Sequence, residues 1–320
     1  MSAALVEAEA LSRYYQLSGG RVLRALDGVA VTIAAGETLG LVGESGSGKS
    51  TLGRTLVGLQ APTRGVVRFA GADTAGVRGD ALRQLRRRRG FIFQDPSAAL
   101  NPRMTLGDTL ADHLVVQGFP RAQIRAHALD VLTQAGLSPE FARRYPHEVS
   151  GGQRQRAVIA RAISTDPDFI VADEPVSALD VSTRAQIINL LRGLQRARGL
   201  SMLFISHDLS VVAHTCRRVA VMYLGRIVEV APRADLFARP LHPYTRALLS
   251  AVPVADPARE RARRRVMLTG ETPDPSSPPG GCRFHPRCPR ATARCAEEDP
   301  TLVAHAPEHL AACHHAGVVR

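Results

Sequence analysis

Short, mostly apolar runs of strand length alternate with helix-like segments along most of the chain. Three of these runs, Thr38–Val42, Phe169–Ala172 and Met202–Ile205, are typical of strands buried on both faces of a sheet. Polar residues follow each run immediately. The alternation predicts an α/β fold on a mainly parallel sheet, with polar chemistry where the strands end.

Two regions depart from this alternation. From about Met104 to Tyr145 the pattern predicts helices broken by turn-forming residues, and we expect an inserted helical subdomain at about residues 104–165. The breaks fall at Gly118, Pro120, Gly136 and Pro139. After about Pro253 strand signals fade while Pro, Arg and Gly become frequent, which predicts a main domain at residues 1–253 and an irregular extension at residues 254–320.

Composition and charge narrow the class of protein. With 45% hydrophobic and 22% charged residues, the sequence is typical of a folded globular protein, and no run approaches eighteen apolar residues. No basic segment leads into an apolar one at the N-terminus, so we expect neither a membrane-spanning nor a secreted protein. The formal charge of +12 comes mainly from arginine, densest at Arg83–Arg89 and Arg259–Arg265. No aromatic residues alternate with these arginine runs, so the runs favour a solvated surface over a nucleic-acid interface. A basic face beside an anionic membrane is equally compatible with them.

A glycine-rich segment follows the first buried strand. Its sequence GESGSGKST has two glycines at the spacing of a phosphate-binding loop, followed by Lys and Ser, between a strand and a predicted helix. Backbone amides and the helix N-terminus would surround a phosphate, Lys49 would reach the β- and γ-phosphates, and Ser50 would offer a hydroxyl to Mg²⁺. The candidate nucleotide-binding residues are Gly43, Glu44, Ser45, Gly46, Ser47, Gly48, Lys49, Ser50 and Thr51.

An acidic pair follows the second buried strand. Asp173 would hold Mg²⁺, and Glu174 would act as the general base that polarises the attacking water in phosphoryl transfer. Such a pair is weak evidence alone, but it lies downstream of a phosphate loop. The combination predicts a site for phosphoryl transfer.

A second helix start also suits a phosphate. Ser150 is a good N-cap, and the helix that it begins would present free amide groups. One chain has no obvious use for two phosphate-binding helix ends on one nucleotide. The simple inference is that this end closes over a nucleotide held by another subunit.

The segment Ser150, Gly151, Gly152, Gln153 matches the SGGQ signature of the ABC ATPases, and over about 250 residues the chain resembles that family. The resemblance implies a P-loop ABC ATPase domain with a mixed sheet, in head-to-tail pairs that enclose two ATP. Gln94 is similar to the glutamine that contacts Mg²⁺, Asp180 to the D-loop aspartate and His207 to the switch histidine. Tyr15 is similar in placement to the aromatic residue that stacks on adenine, with Tyr14 as its rival.

Two further segments resemble the oligopeptide and dipeptide permease ATPases. They are Gln94–Pro96 with Leu100–Thr105, and His242–Thr245 with Ala247–Leu249, although an amphipathic helix alone would also explain the second. The resemblance implies ATP-driven import of peptides or a related small solute. The expected partners are a second, different ATPase subunit, two transmembrane permease subunits that dock beside Gln94 and an extracytoplasmic solute-binding protein, with no nucleic acid. The expected location is the cytoplasmic face of the cell membrane.

Four of the five cysteines lie in the extension, at Cys282, Cys288, Cys295 and Cys313. In a reduced compartment clustered thiols favour metal binding over disulfides, and four thiolates suit zinc or a [4Fe–4S] cluster. The absence of a CxxC pair weakens the zinc interpretation, and the segment resembles the permease extension in which such cysteines ligate an iron–sulfur cluster. Unliganded thiols, or a mixed set with histidines 285, 305, 309, 314 or 315, are the alternatives. Cys216 is expected to be a small buried apolar residue in a helix.

Two other functions fit part of the pattern. The positive charge suggests an ABC-type ATPase that acts on nucleic acid, but neither a long coiled-coil insertion nor a second cassette is visible in the sequence. A regulatory subunit that binds ATP without hydrolysing it is the other alternative. A comparison of ATP turnover between a Glu174→Gln variant and the parent distinguishes such a regulatory subunit from an enzyme.

Overall fold

The computed structural model describes residues 4–252, 256, 266, 268 and 270–316. Within these residues no helix is long and apolar enough to cross a membrane. The strands are β1 (Ala4–Gln16), β2 (Val22–Ala34), β3 (Thr38–Val42), β4 (Arg64–Phe69), β5 (Ala72–Asp73), β6 (Arg89–Ile92), β7 (Phe169–Asp173), β8 (Ser201–Ile205), β9 (Arg218–Tyr223), β10 (Arg226–Pro232), β11 (Val303–Ala306) and β12 (His309–Ala311). The helices are α1 (Lys49–Leu56), α2 (Gly79–Arg87), α3 (Pro96–Ala99), α4 (Leu106–Val116), α5 (Arg121–Gln134), α6 (Gly151–Ile163), α7 (Val181–Arg198), α8 (Leu209–Thr215), α9 (Arg233–Ala238), α10 (Pro243–Ser250) and α11 (Ala293–Glu297).

The larger sheet has the strand order β11-β12-β10-β9-β3-β8-β7-β6. Neighbouring strands in the part β9-β3-β8-β7-β6 are parallel. Beyond β9, the strands β10, β12 and β11 extend the sheet in antiparallel pairs. The predicted mixed α/β sheet is confirmed. Every residue of β3, β7 and β8 is buried, as their apolar sequences predict.

A smaller antiparallel sheet packs against one face of the larger one. Its order is β2-β1-β4-β5, and its long β1 and β2 pair through several irregularities in register. Leu11 and Leu26 from this sheet share a core with Leu52 of α1 and Leu203 of β8. The helix that follows the phosphate loop is therefore held between the two sheets.

Most of the remaining helices cover the opposite face of the larger sheet. The predicted helical insertion contains α4 and α5, separated at Gly118, and a short 3-10 turn at Pro139–Arg143. Gly118 and Gly136 adopt φ values of 78° and 76°, which explains why the helices end there. Leu110, Leu132 and Ile159 join these helices to the core beneath the sheet.

The extension is irregular over most of its described length, but it is not detached from the main domain. Its strand β12 pairs with β10, so the extension lengthens the larger sheet. Phe284 is 1% exposed in the core shared with that sheet. The boundary near residue 253 and the arginine run at 259–265 lie outside the described residues, and the domain limits stay a prediction.

Candidate functional site

Four parallel strands end at one edge, and the residues that follow them lie together. In the pairing register, Ile205 of β8 lies beside Asp173 of β7 and Leu41 of β3, while Ile92 of β6 lies beside Ala172. The segments directly after these positions contain the phosphate loop, Gln94, Glu174 and His207. The sheet therefore brings together residues from four distant parts of the sequence.

The phosphate loop folds around the side chain of Lys49. The Lys49 ammonium donates to the carbonyl oxygens of Gly43 and Glu44, each at 2.8 Å, and lies 3.5 Å from Ser47 Oγ. Burial lowers the pKa of Lys49, and the carboxylates of Glu174, Asp173 and Glu44 partly offset that effect. A buried cation at a helix N-terminus is suited to phosphate.

Two glycines of the loop have no room for a side chain. Gly43 has a φ of 155°, and a Cβ there would lie 2.1 Å from the carbonyl oxygen of Met222. Gly48, at φ 105°, would place a Cβ 2.3 Å from the carbonyl oxygen of Ala25. The close approach of β2 and β9 to the loop thus requires glycine at both positions.

Ser50 and Asp173 meet across the sheet edge. The Ser50 hydroxyl donates a 2.9 Å hydrogen bond to Asp173 Oδ1. Burial raises the pKa of Asp173, and the bond from Ser50 counteracts part of that rise. A hydroxyl and a carboxylate with the phosphate loop beside them form an oxygen donor set that fits Mg²⁺.

Glu174 is the centre of the acidic end of the site. Gln94 Nε2 donates to Glu174 Oε2 at 3.2 Å, and His207 Nδ1 lies 3.1 Å from the same oxygen. The other two side chains predicted to serve catalysis, Gln94 and His207, therefore converge on the Glu174 carboxylate.

The backbone at Glu174 is strained. Its φ of 47° lies in the left-handed region, where non-glycine residues cost on the order of 1 kcal/mol or more. The amide of Glu174 donates to the Ile205 carbonyl at 3.0 Å, and its carbonyl accepts from the amide and hydroxyl of Ser177. These contacts hold the strand end in the geometry that turns the carboxylate toward Gln94 and His207.

The predicted second cradle begins α6. The Ser150 hydroxyl accepts from the Gln153 amide at 3.3 Å, and the Gln153 side chain accepts from the Ser150 amide at 2.8 Å. This capping box fixes an exposed helix start, and within the described residues no hydrogen bond joins it to the phosphate loop. A Cβ at Gly152 would lie 2.5 Å from Thr183, so the start of α6 packs against the start of α7.

Asp180 caps the neighbouring helix α7. Its carboxylate accepts from the Thr183 amide at 2.9 Å and the Ser182 hydroxyl at 2.7 Å, and these bonds lower its pKa. Asp180 thus has a local structural role in this chain, beside the Ser150 helix start.

The two candidate tyrosines have different partners. The Tyr14 hydroxyl donates to Asp27 at 2.5 Å, in a network that also includes Arg226 and Arg283. The Tyr15 hydroxyl donates to Gln60 at 2.8 Å, and the guanidinium of Arg13 lies 4.7 Å from its ring centroid.

Sequence reasoning missed a group of residues behind the phosphate loop. The Glu44 carboxylate accepts from Arg287 and Thr272, and the Glu44 amide donates to the Tyr244 hydroxyl at 2.8 Å. Tyr244 belongs to the segment that resembles the peptide permeases, which was the available signal. Nothing in the spacing of Thr272 or Arg287 indicated their contact with Glu44.

Two of the four extension cysteines are joined through the backbone, where the Cys282 amide donates to the Cys295 carbonyl at 2.8 Å. Each of the other three thiols contributes to the raised pKa of Cys282, to about 11, after burial as the main cause. Within the described part of the chain, no three His, Cys, Asp or Glu side chains are arranged as ligands of one metal ion. His315 Nε2 lies 3.5 Å from Cys295 Sγ, whereas His309 is buried against Glu229 at 2.8 Å. Cys216 is buried as expected, but it lies one residue after the end of α8.

Known families match both parts of the chain. The family described as "ABC transporter" matches residues 26–177, and "Oligopeptide/dipeptide transporter, C-terminal region" matches residues 228–295. The chain is 53% identical to "Probable peptide ABC transporter ATP-binding protein y4tS" of Sinorhizobium fredii, over 98% of this chain and 90% of that protein. It is 47% identical to "Oligopeptide transport ATP-binding protein AppF" of Bacillus subtilis, over 97% of each chain.

Solved structures show the same fold. A dimeric ATP-binding cassette, MJ0796, in a post-hydrolysis state bound to ADP and Pi, superposes with a TM-score of 0.65 at 31% identity, over 71% of this chain and 98% of that one. The cbiO1 protein of Clostridium perfringens, part of an ABC transporter complex, gives a TM-score of 0.64 at 28% identity, over 74% and 91% of the two chains. The chain therefore belongs to the ATP-binding, ATP-hydrolysing subunits of ABC transporters, and it carries the C-terminal region of the oligopeptide/dipeptide branch.

Proposed function

We propose that this chain hydrolyses ATP to drive uptake of short peptides, or of a related small solute, through separate membrane subunits. The observation that carries the enzymatic part is the convergence of Gln94 and His207 on Glu174, next to the Ser50–Asp173 pair. The peptide assignment rests on the named relatives and on the matched C-terminal region.

In the proposed chemistry Glu174 is the general base. Its carboxylate would accept the proton of the attacking water, while Gln94 and His207 orient the carboxylate and contact the γ-phosphate. Lys49 and the loop amides would bind the β- and γ-phosphates. Ser50, Asp173 and Gln94 would hold Mg²⁺, which neutralises phosphate charge when bound.

The exposed capping box at Ser150 supports a site shared between subunits. Its first-turn amides have no partner in the phosphate loop among the described residues, and the half-buried Gly151, Gly152 and Gln153 continue the turn that the exposed Ser150 begins. We infer that this turn, with Asp180 beside it, closes over ATP bound to a second, different ATPase subunit. The solved dimeric structure of MJ0796, with a TM-score of 0.64, supports pairing between two such subunits.

Tyr15 is our candidate for stacking on adenine, because its placement in the chain is similar to that of the family's aromatic residue, and Tyr14 remains its rival. The Tyr15→Ala variant is expected to weaken ATP binding on the order of tenfold, the effect of a lost base–aromatic stack. Tyr15→Phe, which keeps the ring and removes the bond to Gln60, is the matched control. Equal loss of affinity in both variants would reject stacking by Tyr15.

A cavity beside Gln94 supports docking of a membrane subunit. It has a volume of about 230 Å³ and lies between the end of α1, strand β6 and the helical insertion. Its lining includes Leu59, Phe93, His113, Gln117 and Arg161, and Leu59 is 54% exposed. We propose that a short cytoplasmic helix of a permease subunit binds there, which would place this chain at the cytoplasmic face of the membrane.

Co-purification tests the docking site. Leu59→Arg is expected to separate the chain from its membrane subunits without changing its ATP affinity, because it replaces an exposed apolar side chain by a fourth arginine beside Arg86, Arg89 and Arg161. Val303→Arg makes the same change at an exposed position of β11 and is the control. Full retention of the Leu59→Arg chain in the membrane complex would reject this groove.

For the cysteine segment we propose a [4Fe–4S] cluster held by Cys282, Cys288, Cys295 and Cys313. The chemistry of a four-thiolate set and the hydrogen bond from the Cys282 amide to the Cys295 carbonyl support it. Such a group would link four points of a segment that has little apolar core of its own. Anaerobically purified protein is expected to contain iron and to absorb visible light, and each Cys→Ser variant should lose both signals. Zinc without iron, or no metal, would overturn the proposal.

Transport tests the function as a whole. In proteoliposomes that contain the permease subunits and an extracytoplasmic binding protein, we expect accumulation of labelled di- or oligopeptides only with hydrolysable ATP. Replacing the parent chain by Glu174→Gln should abolish accumulation while ATP still binds. Peptide accumulation at the parent rate with the variant would contradict the proposal.

A further inference from the structure

The cysteine segment and the phosphate loop are in direct contact. Arg287, which precedes Cys288, donates through Nη1 to both carboxylate oxygens of Glu44, at 3.1 and 2.9 Å. Thr272 donates a third hydrogen bond to Glu44 at 3.0 Å. The Arg287 side chain is 9% exposed and that of Glu44 is 27% exposed, so this pair is shielded from solvent far better than a surface ion pair.

Every polar group of Glu44 is committed. Its carboxylate binds the extension, its amide donates to Tyr244, and its carbonyl accepts from the Lys49 ammonium at 2.8 Å. A shift of the Glu44 side chain therefore moves the same residue that supports Lys49. The extension is thus connected to the lysine through one residue of the loop.

The segment between Cys282 and Cys288 is anchored at two further points. Phe284 packs its ring against Tyr223 and Tyr244, with centroids 5.3 and 5.4 Å away. Arg283 donates to the carbonyl of Leu224 and to Asp27 of β2. The chain between the two cysteines therefore has a fixed position behind the loop, which makes Arg287 a rigid support and not a mobile surface arginine.

Charge gives this contact a consequence for binding. Glu44 places a negative charge in a loop that receives a polyphosphate, and like charges at short range disfavour binding. Arg287 neutralises that charge and fixes its direction. Without Arg287, the Glu44 carboxylate would repel the nucleotide and compete for Lys49.

We propose that Arg287 is a positioning residue for the phosphate loop, through which the conformation of the cysteine segment sets the affinity for ATP. This inference rests on the proposed binding of phosphate by the loop. It predicts reciprocal coupling: ATP bound at the loop must also alter the cysteine segment.

A double-mutant cycle on the ATP dissociation constant of the purified chain tests the coupling. Arg287→Ala is expected to weaken ATP binding on the order of tenfold in the parent chain. In a Glu44→Gln background the same substitution should weaken binding less than about twofold, because the carboxylate charge that Arg287 neutralises is absent. Arg287→Lys, which keeps the charge, should recover most of the affinity. Arg294→Ala, which removes an exposed arginine of the same segment paired with Glu298, should bind ATP like the parent.

Equal weakening by Arg287→Ala in both backgrounds, or no weakening in either, would overturn the proposal. The parent chain gives a second test that needs no variant: saturating ATP should change the rate of backbone amide hydrogen exchange at residues 282–288 by more than about twofold. An unchanged rate contradicts the coupling. Lys49→Ala distinguishes failure of the Arg287 coupling from failure of the proposed phosphate binding by the loop. If Lys49→Ala bound ATP as tightly as the parent, the role of the loop itself would be rejected.

Discussion

Ser50 and Asp173 are joined by a 2.9 Å hydrogen bond, although 123 positions separate them in the sequence. The bond exists because β3 and β7 are parallel strands that flank β8 and end at the same edge. Two oxygen donors with the phosphate loop beside them define where a hydrated cation would lie.

Removing the Ser50 hydroxyl should weaken the effect of magnesium on nucleotide binding. We expect Ser50→Ala to bind ATP in EDTA like the parent, but to lose on the order of tenfold in affinity when Mg²⁺ is present, because one oxygen ligand is missing. Thr55→Ala, which removes a hydroxyl bonded to the Thr51 carbonyl on the same helix, is the control. Equal effects of Mg²⁺ on the parent and on Ser50→Ala would exclude Ser50 as a ligand.

Ser150 is predicted to act both as a helix cap and as a phosphate contact, and two substitutions separate these roles. Ser150→Ala loses the cap and should lower the free energy of unfolding by about 1 kcal/mol. Ser150→Asp keeps a capping oxygen but adds a charge where a phosphate of the facing subunit would lie. We expect Ser150→Asp to be as stable as the parent and to have the lower ATP turnover of the two variants, measured in the assembled transporter.

The isolated Ser150→Asp chain should still bind ATP normally, because its own phosphate loop is separate from α6. If turnover instead followed stability, with Ser150→Asp as active as the parent, the helix start would be structural only.

His242 predicts a loss of stability in acid. Burial lowers its pKa to about 4, and its Nδ1 accepts the Tyr244 amide at 3.1 Å, which requires the neutral ring. The unfolded state, with a pKa of about 6.5, binds more protons in this range, so stability falls as the pH drops from about 6.5 to 4. At about 1.4 kcal/mol per pKa unit, the loss approaches ~3 kcal/mol.

Denaturant unfolding at several pH values checks this prediction. His242→Asn keeps a capping acceptor without titrating, so its free energy of unfolding should depend less steeply on pH over the same range. His113, whose pKa burial also lowers to about 4, should account for part of the remaining slope. Parallel pH curves for the variant and the parent would show that His242 does not cause the loss.

The sequence predicted the parts of the site that local pattern determines. Strand-length apolar runs followed by Gly43, Asp173 and His207 indicated a shared edge, because parallel strands place such residues together. Ser150 as an N-cap and the helix break at Gly118 follow from local chemistry, and the structure agrees. The exact roles of these residues stay predictions.

Contacts between distant segments were not predictable in the same way. The β1–β2 sheet pairs two long strands whose alternation is blurred by several register shifts. The contact of Arg287 with Glu44 depends on the path of an irregular segment whose sequence has no periodic pattern. Because neither residue belongs to a motif that specifies the other, only the folded chain reveals the pair.

The central claim is that Glu174 is the general base of an ATPase. The most direct test is the turnover number for MgATP of the assembled transporter that contains Glu174→Gln, with the ATP dissociation constant measured alongside. We predict that turnover falls on the order of 10²-fold or more while the dissociation constant stays within about twofold of the parent value. Turnover equal to that of the parent at unchanged affinity would contradict the claim.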